Sequence, residues 1–167
     1  VPACIYEGDT IASLRMPTLY CFKPLKFKNK RQRQQYTRLV RNVKKTLPIA
    51  KEVNRAIIET YEFLQTLPDE KSRQKHLQAV EKSVKEQYTP RMKKLTFSQG
   101  KLLIKLINRE TDSSSYELVK AFLGPFKAGF YQAFAAIFGA SLKKEYHPEG
   151  EDAMVEQIVL LVESGQI

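Results

Sequence analysis

The chain has 167 residues, a length typical of one domain and sufficient to bury a core without disulfides or metal ions. With 43% hydrophobic and 28% charged residues, the composition excludes an intrinsically disordered chain, and no apolar run reaches the roughly 20 residues of a transmembrane segment. The net charge is +10, and residues 23–55 hold twelve Lys or Arg against one acid, Glu52, a net +11 that leaves −1 for the remainder. We therefore predict one domain over residues 1–167, with a β element and lead-in over residues 1–25 and helices over residues 26–167.

The first part of the chain is rich in strand-forming residues. Residues 3–6 and 10–14 flank Glu7-Gly8-Asp9, which predicts a hairpin turn with Gly at its centre. After Pro17, residues 18–22 form another short run of strand formers. We expect a small β element of two or three strands, packed on the helices that follow.

A long amphipathic helix is predicted from about Asn29. Apolar residues recur at steps of three and four, the spacing of one helix face: Tyr36, Leu39, Val40, Val43, Leu47, Ala50, Ile57, Tyr61 and Leu64. Pro48 removes a backbone donor, so we expect a kink or break near Leu47. Leu67-Pro68-Asp69 predicts the end of this element.

Further helices complete a predicted bundle of about five or six. One runs from about Asp69 to Tyr88, and Thr89-Pro90 predicts its end or a kink. Capping boxes, in which two side chains bond each other's backbone N–H groups, are predicted for two more: Thr96 with Gln99 and Ser114 with Glu117. A very apolar helix carries Phe126, Phe130, Phe134, Ile137 and Phe138, and the last helix carries Met154, Val155, Ile158, Val159 and Leu161. The Phe-rich face is typical of a core helix, and the alternative is a membrane-inserting or partner-binding face.

The basic segment is the first candidate for function. Its cations can contact phosphates of nucleic acid, anionic lipid or acidic glycan, and Tyr36 can stack on a base. The alternative is a solvated outer face of an amphipathic helix, which the interleaved apolar stripe favours. The candidate surface comprises Lys28, Lys30, Arg31, Arg33, Arg38, Arg41, Lys44, Lys45 and Arg55.

A polar group at the end of the Thr96 helix is the second candidate. Arg109 and Glu110 can form a partly buried ion pair that fixes the helix end, or line a pocket with Lys105 and Asn108; we favour the packing role. No phosphate loop, nucleophile elbow or Cys–His signature is present, and His76 and His147 do not stand at metal-ligand spacing. We predict no catalytic residues, no metal and no cofactor, so an enzyme is the less favoured interpretation.

The two cysteines leave two possibilities open. Cys4 and Cys21 can form a disulfide in an oxidising compartment, or they are free thiols in the cytosol. The chain begins with Val1 rather than Met, which suggests a shortened chain or a mature form, for example one from which a signal peptide has been removed.

Several segments resemble a known family over nearly the whole chain. They are residues 6–11, 25–30, 93–96, 100–107, 115–118 and the stretch that continues to residue 143. The chain resembles an uncharacterised Bacteroidetes family, domain of unknown function 4294. That resemblance implies export, makes the Cys4–Cys21 disulfide more credible and lowers the prospect of a nucleic-acid partner.

The sequence thus predicts a non-enzymatic binding or assembly module of the periplasm or cell envelope, although a cytoplasmic location stays open. Its basic helix face would bind anionic lipid, glycan or a protein surface. The alternative is a nucleic-acid-binding helical protein that uses residues 23–55.

Overall fold

The computed structural model describes residues 2–14, 16–112, 132–133, 135–137 and 146–167. The elements in chain order are β1 (Ala3–Tyr6), β2 (Asp9–Ala12), α1 (Lys30–Thr66), α2 (Glu70–Lys93), α3 (Phe97–Asp112), α4 (helical residues 132–133 and 135–137) and α5 (Ala153–Glu163). The described residues therefore form five helices and one small antiparallel sheet, and the predicted mainly α bundle with an N-terminal β element is confirmed.

The sheet is a two-stranded hairpin with a two-residue turn. Tyr6 pairs with Asp9, and the turn residues Glu7 and Gly8 both have positive φ, 51° and 93°, as a type I′ turn requires. All residues of β1 and β2 are exposed, so the hairpin does not pack on the helices as we expected. Residues 18–22 are not a strand, and the structure has the smaller of the two predicted strand numbers.

Helix α1 is one continuous helix. Asn29 begins it by accepting a hydrogen bond of 2.9 Å from the backbone N–H of Gln32, and Leu67 follows its last residue. No break occurs at Pro48, because this residue is exposed and the carbonyl of Lys44, which loses its donor, can bond to water.

Helix α2 also continues through a proline. Asp69 caps it, accepting hydrogen bonds from the backbone N–H and the hydroxyl of Ser72 at 2.8 and 2.7 Å. The helix runs past the predicted end to Lys93 because Pro90 is exposed, whereas Tyr88 and Met92 are buried on the opposite face.

Helix α3 is the most deeply buried element among those described. The predicted capping box is present: Gln99 N–H donates to the Thr96 hydroxyl at 3.3 Å, and Thr96 N–H donates to the Gln99 side chain at 3.2 Å. Buried residues then follow one another around the helix: Leu102, Leu103, Ile104, Leu106, Ile107, Asn108, Glu110 and Thr111. Because these buried residues occupy nearly all sides of the helix, α3 lies inside the core, to which α1, α2 and α5 also contribute.

Helix α5 closes the described part of the core with Val155, Ile158 and Val159. Its end is a Schellman motif: Gly165 has φ of 72°, and Gln166 N–H donates to the Leu161 carbonyl at 2.9 Å. The Ser114–Glu117 capping box and Phe126, Phe130, Phe134 and Phe138 lie outside the described residues. Of the predicted Phe-rich helix, Ala133 is buried and Ile137 packs against the core.

Residues 20–27, called here the connecting segment, join the hairpin to α1. The Gln166 side-chain amide bonds both backbone groups of Tyr20, accepting from its N–H at 2.8 Å and donating to its carbonyl at 3.0 Å. At the other end, the Phe27 and Tyr36 rings lie 5.5 Å apart. The segment is thus fixed at both ends against α1 and the C-terminus.

Candidate functional site

The nine residues of the predicted basic surface are all exposed in the structure. Four of them share one face of α1 with Gln34 and Thr37 and line an open groove of about 540 Å³: Lys30, Arg33, Arg38 and Arg41. The eleven-residue step from Lys30 to Arg41 corresponds to about 17 Å along a helix axis. The groove therefore offers four cationic side chains to an anion of that length.

Ion pairing divides α1 into two halves. Within the described part of the chain, Lys30, Arg33, Arg38 and Arg41 form no salt bridge, and no acidic residue occurs in the sequence between residues 10 and 51. Further along, Lys51 pairs with Glu163 at 2.7 Å and Glu52 with Arg91 at 2.7 Å. The positive charge that is available to a partner is therefore concentrated before residue 50.

Two residues expected at this surface have other contacts: Lys45 is hydrogen-bonded to α3, and Tyr36 lies on the other side of α1. The Lys45 ammonium donates to the Gln99 side chain at 3.1 Å, which links the middle of α1 to the start of α3. Tyr36 is half-buried beside Phe27 on the side of α1 that faces away from the groove. The predicted stacking of Tyr36 on a base is therefore not available in this arrangement, because the apolar periodicity that buries the ring also turns it from the cations.

The second candidate, at the end of α3, is an ion-pair cluster centred on Arg109. Its guanidinium binds Glu156 with two hydrogen bonds of 2.7 and 2.8 Å and binds Glu110 at 2.7 Å. Glu163 lies 3.3 Å away and also pairs with Lys51, while the Tyr146 hydroxyl donates to Glu156 at 2.7 Å. The cluster joins α1, α3 and α5, so these side chains hold helices together.

Burial and hydrogen bonding set the protonation of this cluster. Burial alone would lower the pKa of Arg109 and raise that of Glu156. The hydrogen bonds and opposite charges around each group together outweigh burial, so the pKa of Arg109 is raised and that of Glu156 is lowered. Burial, reinforced by the bond to Glu156, raises the pKa of Tyr146 well above its usual range. At neutral pH the cluster thus contains a charged Arg109, a charged Glu156 and a neutral Tyr146.

Lys105 belongs to a neighbouring group of three charged side chains rather than to the Arg109 cluster. Its ammonium bonds Asp152 at 2.6 Å and Glu151 at 2.9 Å, and Asp152 also accepts from the backbone N–H of His147 at 3.1 Å. Burial alone would lower the pKa of Lys105, but the hydrogen bonds to Asp152 and Glu151 and the charges of these carboxylates together outweigh burial and raise it. Asn108, which lies between Lys105 and Arg109 in the sequence, is buried.

The remaining candidates lie apart from these clusters. His147 is exposed in the loop before α5, and the His76 ring lies 4.6 Å from the Phe63 ring. Cys4 and Cys21 are exposed free thiols, and Cys21 is not in a strand beside Cys4, so their pairing stays a prediction.

In the parts of the chain that the structure describes, no three His, Cys, Asp or Glu side chains gather as a metal site. Nor do those parts contain a helix with the length and hydropathy to cross a membrane.

Sequence reasoning missed the acidic partners of Arg109 and a second cavity. Glu156 and Glu163 are seven residues apart and therefore share a face of α5, which is the one signal that could have suggested a common cation. The cavity lies between the connecting segment, α1 and the first turn of α5, with a volume of about 330 Å³. Its walls come from distant parts of the chain, so no local motif predicts it.

One protein family matches the chain over most of its length. The family described as domain of unknown function (DUF4294) matches residues 9–161. No curated protein and no solved structure matches the chain.

Proposed function

The chain belongs to the DUF4294 family, a domain of unknown function, and we propose that it is a non-enzymatic binding or assembly module of the cell envelope. In this proposal the groove on α1 binds an anionic partner, namely a lipid surface or an acidic glycan. The observation that carries it is the set of four exposed cations without salt bridges in the described structure: Lys30, Arg33, Arg38 and Arg41. Cations retained only as a solvated face would be expected to have acids among them, as on α2, where Glu70, Glu81 and Glu86 lie among the cations.

The four cations of the groove can contribute enough binding free energy for a measurable affinity. A Lys or Arg near an anionic membrane surface contributes about 1 kcal/mol, so four contribute on the order of 4 kcal/mol, or roughly a 1,000-fold increase in partitioning. This contribution falls at high salt because the charges are exposed.

Charge-reversal variants test the proposal. We expect the wild-type protein to sediment with vesicles of phosphatidylglycerol and phosphatidylcholine, or to be retained on an acidic polysaccharide, and Arg33→Glu/Arg38→Glu/Arg41→Glu to lose that binding. The matched control reverses three exposed cations of α2 (Lys71, Lys75 and Lys85) and has the same net charge. Equal losses in both variants would show that only net charge matters, and the groove would then have no role.

The envelope location is tested separately. The family resemblance implies export, so protein purified from its native host should have a processed N-terminus, and mass spectrometry should find Cys4 and Cys21 joined. Free thiols on an unprocessed chain would contradict the envelope location. The proposal that the groove binds an anionic partner would not be affected by that result.

The same groove supports nucleic-acid binding as the alternative. That function predicts an affinity for duplex DNA whose logarithm falls with the logarithm of salt with a slope of about −3 to −4, for four phosphate contacts. Two results together would favour this alternative over the envelope module. The wild-type protein would not bind anionic vesicles, and the triple variant would lose DNA binding.

A further inference from the structure

The cavity beside the connecting segment lies on the opposite side of α1 from the basic groove. Gln32, Gln35, Tyr36 and Leu39 line it from α1, Leu25, Lys26 and Phe27 from the connecting segment, and Met154 from α5. None of these residues lines the groove. The cavity is therefore a separate feature, and any site in it goes beyond the proposed function.

The walls of the cavity are mainly apolar. Aliphatic side chains contribute on three sides (Leu25, Leu39 and Met154), and the tilted Phe27–Tyr36 ring pair forms another part of the wall. Met154 is 38% exposed although it lies in the first turn of a helix whose neighbouring apolar residues are buried. An apolar ligand would remove this exposed surface from water.

Two polar groups at the cavity lack partners among the described residues. The Lys26 ammonium and the Gln35 amide form no hydrogen bond there, in contrast to Gln32, whose side chain accepts from the backbone N–H of Lys28 at 2.8 Å. An ammonium and an amide N–H₂ both donate hydrogen bonds, which suits a carboxylate. An apolar cavity with a few polar donors is the usual form of a small-molecule site.

We propose that this cavity binds a single-chain aliphatic carboxylate, with the chain against Leu39 and Met154 and the carboxylate at Lys26 and Gln35. The volume of about 330 Å³ is near the lower end of the range for small-molecule sites, about 300 to 1,000 Å³. It therefore suits one short chain and is too small for a two-chain lipid. The positive Lys26 selects an anionic ligand over a neutral or cationic ligand of the same length.

Methyl NMR provides a direct test, because the protein has three methionines in different environments. Met154 lines the cavity, Met92 is completely buried in the core, and Met16 precedes the connecting segment. Titration with hexanoate, octanoate and decanoate should shift the Met154 methyl signal saturably and leave Met92 unchanged. Affinity should rise about fourfold for each added methylene until the cavity is full.

Two pairs of variants separate the site from nonspecific binding. Lys26→Gln should weaken decanoate binding about tenfold and leave decanol binding unchanged, whereas the control Lys23→Gln should change neither. Leu25→Trp should block binding by filling the cavity, whereas Leu19→Trp, at an exposed position, should not. Equal binding of decanoate, decanol and decyltrimethylammonium, or equal shifts at Met92 and Met154, would overturn the proposal. Unchanged decanoate binding in Leu25→Trp would also overturn it.

Discussion

Replacing Arg109 by Met should be among the most destabilising changes in the described structure. The substitution retains an apolar chain of similar length but removes the charge that binds Glu110, Glu156 and Glu163. Lys51 pairs with Glu163 at 2.7 Å and would remain as a partner of that carboxylate. Glu156 would lose both of its hydrogen bonds from the guanidinium and keep its charge beside the other acids.

The expected cost follows from the burial of the cluster. Removing one partner of a buried ion pair typically costs 3–5 kcal/mol, because the remaining charge stays buried. The Arg109 and Glu156 side chains are 14% and 20% exposed, so some water reaches them and the lower limit applies. We expect about 3 kcal/mol of unfolding free energy, or a decrease of roughly 6–12 °C in Tm for a chain of this size.

Urea denaturation at several pH values measures both the size of the effect and its origin. The pKa of Glu156 is lowered in the folded protein from 4.5, so its contribution is present above pH 4.5 and is lost as the pH falls through the folded value. The difference between wild type and Arg109→Met should therefore be largest near pH 7 and shrink as the pH falls into the acid range, because the carboxylates left without Arg109 can then be protonated in the folded variant.

The control for this prediction is Lys82→Met, which breaks the exposed Lys82–Glu86 pair on α2, whose side chains are 78% and 69% exposed. An exposed pair of this kind contributes about 0.3–0.5 kcal/mol. If Arg109→Met cost no more than Lys82→Met, or if its cost did not depend on acid pH, the argument from buried charge would be wrong.

Three further predictions concern contacts between elements. Gln99→Ala removes half of a capping box and the hydrogen bonds to α1, and should cost about 1–2 kcal/mol in chemical denaturation. Gln166→Ala should speed hydrogen exchange at the Tyr20 amide at least about tenfold, while amides in the middle of α1 keep wild-type rates. Burial, with the charge of Glu52, raises the pKa of Tyr88 from 10.0 to about 12, so stability should be lost between these two pH values. A spectrophotometric titration of Tyr88→Phe should lack one tyrosine that ionises near pH 12.

Helix ends were predictable because their signals are local. Thr96 and Gln99 are three residues apart, and the capping box forms at that spacing whatever the rest of the chain does. The ends near Pro68 and Gly165 follow from the same kind of backbone preference. Such features depend on at most six consecutive residues, and the sequence contains all of them.

The prolines inside helices show where local reasoning was insufficient. Pro48 lies eighteen residues, or five turns, after Lys30, and therefore on the same exposed face. Loss of one hydrogen bond on that face costs little, because water replaces the missing donor, whereas the burial of Leu47 and Ala50 opposite it favours a continuous helix. A break, one of the two alternatives that the sequence left open at Pro48, would require the cost of the proline to exceed the packing energy on the other face.

Residues 18–22 were predicted as a strand from their composition, but strand propensity describes how well a residue fits a paired, half-buried surface. The Gln166 side chain, 146 residues away, satisfies both backbone groups of Tyr20 in place of a strand. The partners of Arg109 are equally remote, since Glu156 and Glu163 follow it by 47 and 54 residues. Pairings of this kind depend on how the helices dock, which no spacing in the sequence specifies.

The two proposals concern opposite faces of one helix, and this arrangement makes them separable. The 3.6-residue period of α1 places the cations at Lys30 and Arg41 on one side and the cavity residues Tyr36 and Leu39 on the other. Charge reversal in the groove therefore leaves the cavity walls untouched, and a tryptophan at Leu25 leaves the cations untouched. If binding of an anionic surface and of an aliphatic carboxylate were lost together in either variant, the two faces would be coupled through α1, and the independence that helix geometry predicts would fail.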